Sequence, residues 1–326
     1  MELNEVIDIL TKNDKFIIIG HEEPDGDCLG SQLGMAYFLR RLGKQALVYS
    51  PGPFKRNEIA FLAGQFEQDI PPTEKLNNPL AVVMDCSTAD RTGQLANQIA
   101  GLPTLVIDHH TSGHPFGDYR YIDSTCPATT ILVHRIIKAM GEEVSQQEAE
   151  LLYLGLCTDT GFYRHLESGQ SEAFQVSADL VAAGANPKKT FAKMYSGKSF
   201  GSQKLIGRLL GRMESYYEGQ VVVTYEDASD RFELDIQNRD SDSLYQMLQA
   251  IDDVEAIILI REDTIYNGSV GLRSRTTVDM GEMAKIFGGG GHKRAAGFAY
   301  EGKRDDIKAQ LIQLFKKPEF RLPPKE

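Results

Sequence analysis

Four short apolar runs constrain this chain more than any other feature: Phe16-Ile17-Ile18-Ile19, Ala46-Leu47-Val48-Tyr49, Ala81-Val82-Val83-Met84 and Thr104-Leu105-Val106-Ile107. They are rich in β-branched residues and do not alternate apolar with polar, the pattern of strands covered on both faces of a parallel sheet. Helical stretches lie between and after them, near 30–42, 90–100, 127–140, 145–156 and 170–183, and Ser145-Gln146-Gln147-Glu148 reads as a capping box. A series of this kind predicts a doubly wound, mainly parallel α/β domain over residues 1–184. Asn186-Pro187 then offers an N-cap followed by a first-turn proline, predicting a helical connector over 185–212. Strands at 220–225, 254–261 and 269–275, with helices near 243–251, 280–287 and 304–315, predict a smaller α+β domain over 213–326 whose last ten residues form a loose tail. Two domains also suit a chain of 326 residues.

Polar clusters recur where the strands of such a sheet end, which is where open α/β sheets place their ligands. The first is His21-Glu22-Glu23-Pro24-Asp25-Gly26-Asp27, a loop that leads to Gly30-Ser31 and a helix. Asp85 follows the third apolar run, Asp108-His109-His110 follows the fourth, and Thr158-Asp159-Thr160-Gly161 stands where the helix from Ser145 runs out. Singly, Asp85 reads equally well as a helix cap, and Asp108-His109-His110 as a loop with a surface histidine. Together they form a set of oxygen and imidazole donors without thiolates, suited to a hard or borderline divalent ion, Mn²⁺ or Mg²⁺, rather than to structural zinc. More than four such groups predict two ions sharing a bridging carboxylate, about 3.5–4 Å apart, as in two-metal hydrolysis of phosphate esters. The four cysteines, Cys28, Cys86, Cys126 and Cys157, have no CxxC spacing and read as reduced, buried thiols.

The order His21-x-x-x-Asp25-x-Asp27-x-x-Gly30-Ser31, Asp85, Asp108-His109-His110 and Asp159 resembles the four motifs of the DHH phosphoesterases, the superfamily of RecJ-like exonucleases and family II pyrophosphatases. Gly288-Gly289-Gly290-Gly291-His292-Lys293-Arg294-Ala295-Ala296-Gly297 is similar to the glycine-rich motif of the DHH-associated C-terminal domain, and the nano-RNase/pAp phosphatase subgroup is the best match. The resemblance implies that His21, Asp25 and Asp85 bind one manganese ion and that Asp27, Asp85, His109 and Asp159 bind the other, with Asp85 bridging. It further implies that Asp108 orients an imidazole and that His110 faces the substrate phosphate or leaving group, unless His110 is purely structural. Ser31 either caps its helix or meets phosphate. Family members often carry Asn three positions after the second histidine, where this chain has Gly113, so a contact made by that Asn is not carried over.

Charge separates the two ends of the chain. Residues 1–184 hold 13 Lys/Arg against 25 Asp/Glu, a balance of −12, whereas residues 265–326 hold 12 against 7, a balance of +5. The total of −11 argues against coating long nucleic acid, and a basic C-terminal end suits a short anionic substrate. Gly289, Gly290 and Gly291 give backbone N–H groups room to approach phosphate, or else form a hinge. His292 follows them, and Arg273 and Arg275 stand at alternate positions of a predicted strand, so these six residues are the expected substrate contacts. Lys293 and Arg294 are equally readable as solvated.

A substrate held in a cleft between two domains would be short, which favours pAp, pApA and oligonucleotides of a few residues. The expected function is therefore metal-dependent hydrolysis of such phosphoesters, with a cyclic di-AMP phosphodiesterase or a nonenzymatic nucleotide sensor as the alternatives. A pyrophosphatase ranks lower, because the glycine-rich C-terminal motif is unusual there. No apolar leader and no run of about 18 apolar residues occurs, predicting a cytoplasmic protein without membrane association. The oligomeric state, a homodimer included, is left open.

Overall fold

The structure is a computed structural model that describes residues 1–72, 77–86, 88–110, 114–236 and 239–324. The chain divides into two compact units, Met1–Gly197 and Lys198–Glu326.

The first unit is built on a five-stranded, all-parallel sheet of order β2-β1-β3-β4-β5, formed by β1 (Lys15–Ile19), β2 (Gln45–Tyr49), β3 (Leu80–Met84), β4 (Thr104–Asp108) and β5 (Tyr119–Ile122). Its helices are α1 (Leu3–Lys12), α2 (Gly26–Arg41), α3 (Leu95–Gln98), α4 (Thr129–Ala139), α5 (Gln146–Asp159), α6 (Glu172–Ala182) and α7 (Pro187–Tyr195). The predicted doubly wound domain is thus present, with β3 and β4 buried along their whole length, as non-alternating runs require. One apolar layer joins β1, β3 and β4 to α2, α4 and α5 through Ile18, Val82, Leu105, Leu33, Leu132 and Leu152. The opposite layer holds Ile17, Ile19, Val83 and Val106 against Leu95 and Ile99.

One strand is unforeseen, and two local expectations are corrected. The edge strand β5, Tyr-Arg-Tyr-Ile, is half-exposed and lacks the apolar run that marks the others. The helix expected near 90–100 is a 3-10 turn at Ala89–Thr92 plus the single-turn α3, because Gly93, at φ 58°, breaks it. Helix α2 begins at Gly26, not at Gly30, because Asp25 caps it by accepting from the Asp27 and Cys28 amides.

The second unit has a six-stranded mixed sheet of order β10-β11-β9-β8-β7-β6. Its strands are β6 (Glu214–Tyr216), β7 (Val221–Glu226), β8 (Ala256–Thr264), β9 (Asn267–Ser274), β10 (Gly290–His292) and β11 (Ala295–Glu301). The helices are α8 (Phe200–Gly211), α9 (Asp230–Glu233), α10 (Ser241–Gln249), α11 (Met280–Lys285) and α12 (Arg304–Leu314). One face packs Val222, Ile257 and Leu259 against Leu205, Leu209 and Leu244 of α8 and α10. The other packs Ile258, Val270, Leu272 and Phe298 against Met283 of α11 and Leu311 of α12. The tail is not loose up to residue 324: Phe320 is buried, and Gln220 Nε2 donates to the Pro323 carbonyl at 2.8 Å. Among the described residues, no helix is long and apolar enough to cross a membrane.

Candidate metal centre

The carboxyl ends of β1, β3 and β4 converge with the start of α2 and the end of α5. His21 lies two residues past β1, Asp85 directly follows β3, Asp108 closes β4, Asp27 is in the first turn of α2, and Asp159 is the last residue of α5. Helices α2 and α5 approach through glycine. A β-carbon at Gly30 would lie 2.6 Å from the Leu151 carbonyl oxygen, and one at Gly155 would lie 3.0 Å from Asp27 Cα. Without those β-carbons, Asp27 and Asp159 reach one point. Asp85 is a non-glycine residue at φ 56°, a conformation costing about 1–3 kcal/mol that the surrounding structure must enforce.

Hydrogen bonds fix which imidazole nitrogens are free. His21 Nδ1 donates to the Glu22 carbonyl at 2.7 Å, leaving Nε2 as a lone pair 3.6 Å from Asp85 Oδ2 and 4.0 Å from Asp25 Oδ1. His109 Nδ1 donates to the Cys126 carbonyl at 3.0 Å, and its Nε2 faces Asp159 Oδ2 at 3.3 Å and Asp85 Oδ1 at 3.6 Å. That nitrogen is buried and has no hydrogen-bond partner among the described residues. The two oxygens of Asp85 therefore face two different imidazoles.

The carboxylates are held from behind. Asp27 Oδ2 accepts from the Thr129 amide at 2.6 Å, and its Oδ1 accepts from the Thr130 amide at 2.9 Å and hydroxyl at 2.8 Å, so the amino end of α4 grips it. Thr129 Oγ1 donates to Asp85 Oδ1 at 2.9 Å. Asp108 Oδ1 accepts from the His109 and His110 amides and from His110 Nδ1, the last at 2.8 Å, which turns His110 Nε2 away from the carboxylate. Ser31 neither caps nor faces the site: its hydroxyl donates to the Cys28 carbonyl inside α2. Gly113, whose identity departs from the family pattern, lies outside the described residues.

Burial and mutual repulsion disfavour a full set of negative charges in this cluster. Burial, then repulsion from Asp27, Asp25 and Asp159, pushes the Asp85 carboxyl well above the ordinary carboxylate range. Burial also raises Asp27, and burial with the charges of Asp27 and Asp25 pushes Asp159 up to about 8. The hydrogen bond to Asp108 raises His110, favouring its imidazolium. Arg56 Nη1, 4.0 Å from Asp25 Oδ2, is half-exposed and too peripheral to neutralise the set. Three groups of ligand atoms lie within 4.8 Å of one another: Asp85, Asp108, His109 and His110; His21, Cys28 and Asp85; and Asp27, His109 and Asp159. A divalent ion fits this donor chemistry and the orphaned His109 nitrogen. Cys28, at an unassigned position of the first motif, and Thr129 and Thr130, outside the motifs, join the site. The threonines belong to a helix start about a hundred residues from Asp27, for which no local signal exists.

The C-terminal candidates lie in the second unit. Only half of the glycine run is a loop: Gly288, at φ 77°, and Gly289 follow α11 as a turn, whereas Gly290, Gly291 and His292 are β10, an edge strand paired antiparallel with β11. Amides alternate in direction along a strand, so they do not converge as a loop nest would. A β-carbon at Gly289 would lie 2.3 Å from the Gly297 carbonyl oxygen, and one at Gly291 2.5 Å from that of Ala295, whereas Gly290 is open. Register aligns His292, Ala295 and Arg273 across β10, β11 and β9, placing His292 and Arg273 on one face about 10 Å apart. The Arg273 guanidinium lies 4.3 Å from the Tyr245 ring centroid. Arg275 falls one residue beyond β9 and is exposed.

Residues 15–156 match the model of the DHH family, N-terminal domain, and residues 218–317 that of the DHHA1 domain. The chain is 30% identical over 291 residues to the bifunctional oligoribonuclease and PAP phosphatase NrnA of Thermus thermophilus, covering 87% of this chain and 84% of that protein. It is 25% identical over 323 residues to the Bacillus subtilis protein of the same name, covering 97% and 99%. Among solved structures, an exopolyphosphatase-related protein from Bacteroides fragilis superposes with a TM-score of 0.79 at 24% identity, covering 96% of each chain.

Proposed function

Because the chain belongs to the DHH family and carries a DHHA1 domain in its second unit, we propose that it is a two-metal phosphoesterase acting on very short oligonucleotides and on pAp. The observation that carries this reading is the splayed Asp85 carboxylate, one oxygen toward His21 Nε2 and the other toward His109 Nε2, each at 3.6 Å. In the proposal His21, Asp25 and Asp85 hold one Mn²⁺, and Asp27, Asp85, His109 and Asp159 hold the second, with Mg²⁺ as the other hard ion the donors suit. Bound there, the ions supply Lewis-acid neutralisation of phosphoryl charge and an acidified water.

The chain's own residues do the rest. Asp108 holds the Nδ1 proton of His110, so its Nε2 presents a proton to a phosphoryl or leaving-group oxygen. Thr129 and Thr130 keep Asp85 and Asp27 from turning. Arg273, Arg275, His292 and the strand Gly290–His292 bind the non-reacting part of the substrate. Two relatives named as oligoribonuclease and PAP phosphatase, together matching most of the chain, support this substrate class. Four buried, unpaired cysteines suit a reducing compartment, and we assign the protein to the cytoplasm.

The test offers purified protein with Mn²⁺ the substrates pAp, pApA, cyclic di-AMP, short RNA and pyrophosphate. Fastest hydrolysis of pAp, pApA or dinucleotide RNA is expected. Fastest hydrolysis of cyclic di-AMP would reassign the substrate. Tight nucleotide binding without turnover of any of them would make the chain a sensor.

A further inference from the structure

Cys28 differs from the other three cysteines in where its sulfur faces. The Cys86, Cys126 and Cys157 thiols donate to the Thr88 carbonyl, the Ala128 carbonyl and the Tyr163 hydroxyl, at 3.1, 3.2 and 3.8 Å. Cys28 is fully buried in the first turn of α2, and its sulfur lies over the end of β1, where a β-carbon at Gly20 would come within 2.3 Å of it. Burial, then the charges of Asp85 and Asp25, push the thiol up and keep it a neutral S–H, and the His21 amide pointing at the sulfur offsets this only in part. The sulfur, a His21 ring nitrogen and an Asp85 oxygen all lie within 4.8 Å of one another. No motif assigns Cys28 a role.

We propose that Cys28 is a further donor beside His21 and Asp85 in their half-site, engaged by thiophilic divalent ions such as Cd²⁺ and Co²⁺ and passed over by Mn²⁺. The inference rests on the metal reading given above. Hard ions take oxygen and imidazole and leave a neutral thiol alone, whereas softer ions gain from a sulfur bond. When the S–M bond forms, the S–H bond breaks and its proton passes to solvent, so no oxidant or further reactant is needed. The half-site would therefore bind thiophilic ions in a different ligand set from the one it offers manganese.

The experiment titrates the metal-free full-length protein with Co²⁺ and Cd²⁺, following the sulfur-to-metal charge-transfer absorption, and separately with Mn²⁺ by electron paramagnetic resonance. Cys28→Ser and Cys28→Ala are carried in parallel, with circular dichroism to verify folding. The wild type should show a charge-transfer band that saturates with one equivalent. In both variants the band should vanish and Cd²⁺ affinity should fall at least about tenfold, while Mn²⁺ affinity changes by less than about threefold. A wild type that binds Cd²⁺ without the band, or a band that survives in either folded variant, overturns the proposal while leaving the manganese site standing. Failure of the wild type to bind Mn²⁺ at all would remove both readings.

Discussion

Gly155 offers a sharp test of how the fold builds the site. A β-carbon there would lie 2.5 Å from Thr130 Cγ2 and 3.0 Å from both Asp27 Cα and the Gly26 carbonyl oxygen. Two of those three atoms are backbone, and the third belongs to a side chain whose hydroxyl is bonded to Asp27 Oδ1 at 2.8 Å. Relief therefore requires α2 and α4 to shift or the threonine to give up its bond. In the interior of α5, Gly→Ala taken alone gains about 1 kcal/mol of helix propensity, whereas forced overpacking costs about 1–3 kcal/mol, so Gly155→Ala should lose about 0–2 kcal/mol. Gly207, exposed in α8 with nothing within 4 Å of where a β-carbon would stand, is the control, and there the same substitution should gain about 0.5–1 kcal/mol. Urea unfolding of the two variants should shift in opposite directions. Moving Asp27 by about 1 Å should also lower kcat about 100-fold in Gly155→Ala, with turnover in Gly207→Ala unchanged. Equal stabilisation of both variants with undiminished turnover would refute the close-approach argument.

Asp85→Ala should abolish turnover with the fold intact, because in the proposed centre one carboxylate would serve both ions; near-normal activity with two bound Mn²⁺ would end the bridging assignment. Asp159→Ala should collapse kcat, whereas Arg275→Ala should mainly raise KM, and equal kcat losses in both would contradict that division. In metal-free protein, Asp159 keeps its proton up to about pH 8 when folded but ionises near 4 when unfolded, so its contribution to stability is present at low pH and falls as pH rises through that window. Asp159→Asn should flatten this part of the pH–stability curve, and an unchanged curve would show that the group is not perturbed. The platform from β10 to β9 is about 10 Å wide, so initial rates on end-labelled RNA should fall from two nucleotides to beyond about five. Comparable kcat/KM at two and twenty-four nucleotides would remove the short-substrate reading.

Residues whose role is set by local chemistry are visible in the sequence, and those set by distant pairing are not. Strands β1, β3 and β4 are legible because burial on both faces leaves an uninterrupted apolar run. Asp85 and Asp108 are legible because they end such strands, and Asp159 because it stands where the capped helix α5 runs out. Strands β10 and β11 are not, since Gly-Gly-His and the Ala/Gly-rich start of β11 have little strand propensity of their own. Their pairing is decided by absent side chains: Gly289 and Gly291 let the edge strand close on β11 where any β-carbon would strike a carbonyl oxygen.

The same physics accounts for the unexpected start of α2. The motif presents Asp25 as a metal donor in a loop, yet its Oδ1 accepts from the Asp27 and Cys28 amides and so begins the helix at Gly26. The capping Oδ1 is also the oxygen 4.0 Å from His21 Nε2, while Oδ2 faces Arg56 at 4.0 Å. Beginning the helix at Gly26 also rotates Asp27 onto the side where Gly155 and the amino end of α4 meet it, and brings Cys28 under His21. The capping of α2 by Asp25 thus bears on where Asp27 and Cys28 stand. Asp25→Asn keeps an acceptor for the cap but removes the charge, so it should preserve thermal stability while weakening Mn²⁺ binding. Asp25→Ala removes the cap as well and should cost about 1 kcal/mol of stability. If the two variants lose equal stability, as followed by thermal unfolding of the metal-free protein, the cap is not what sets the start of α2.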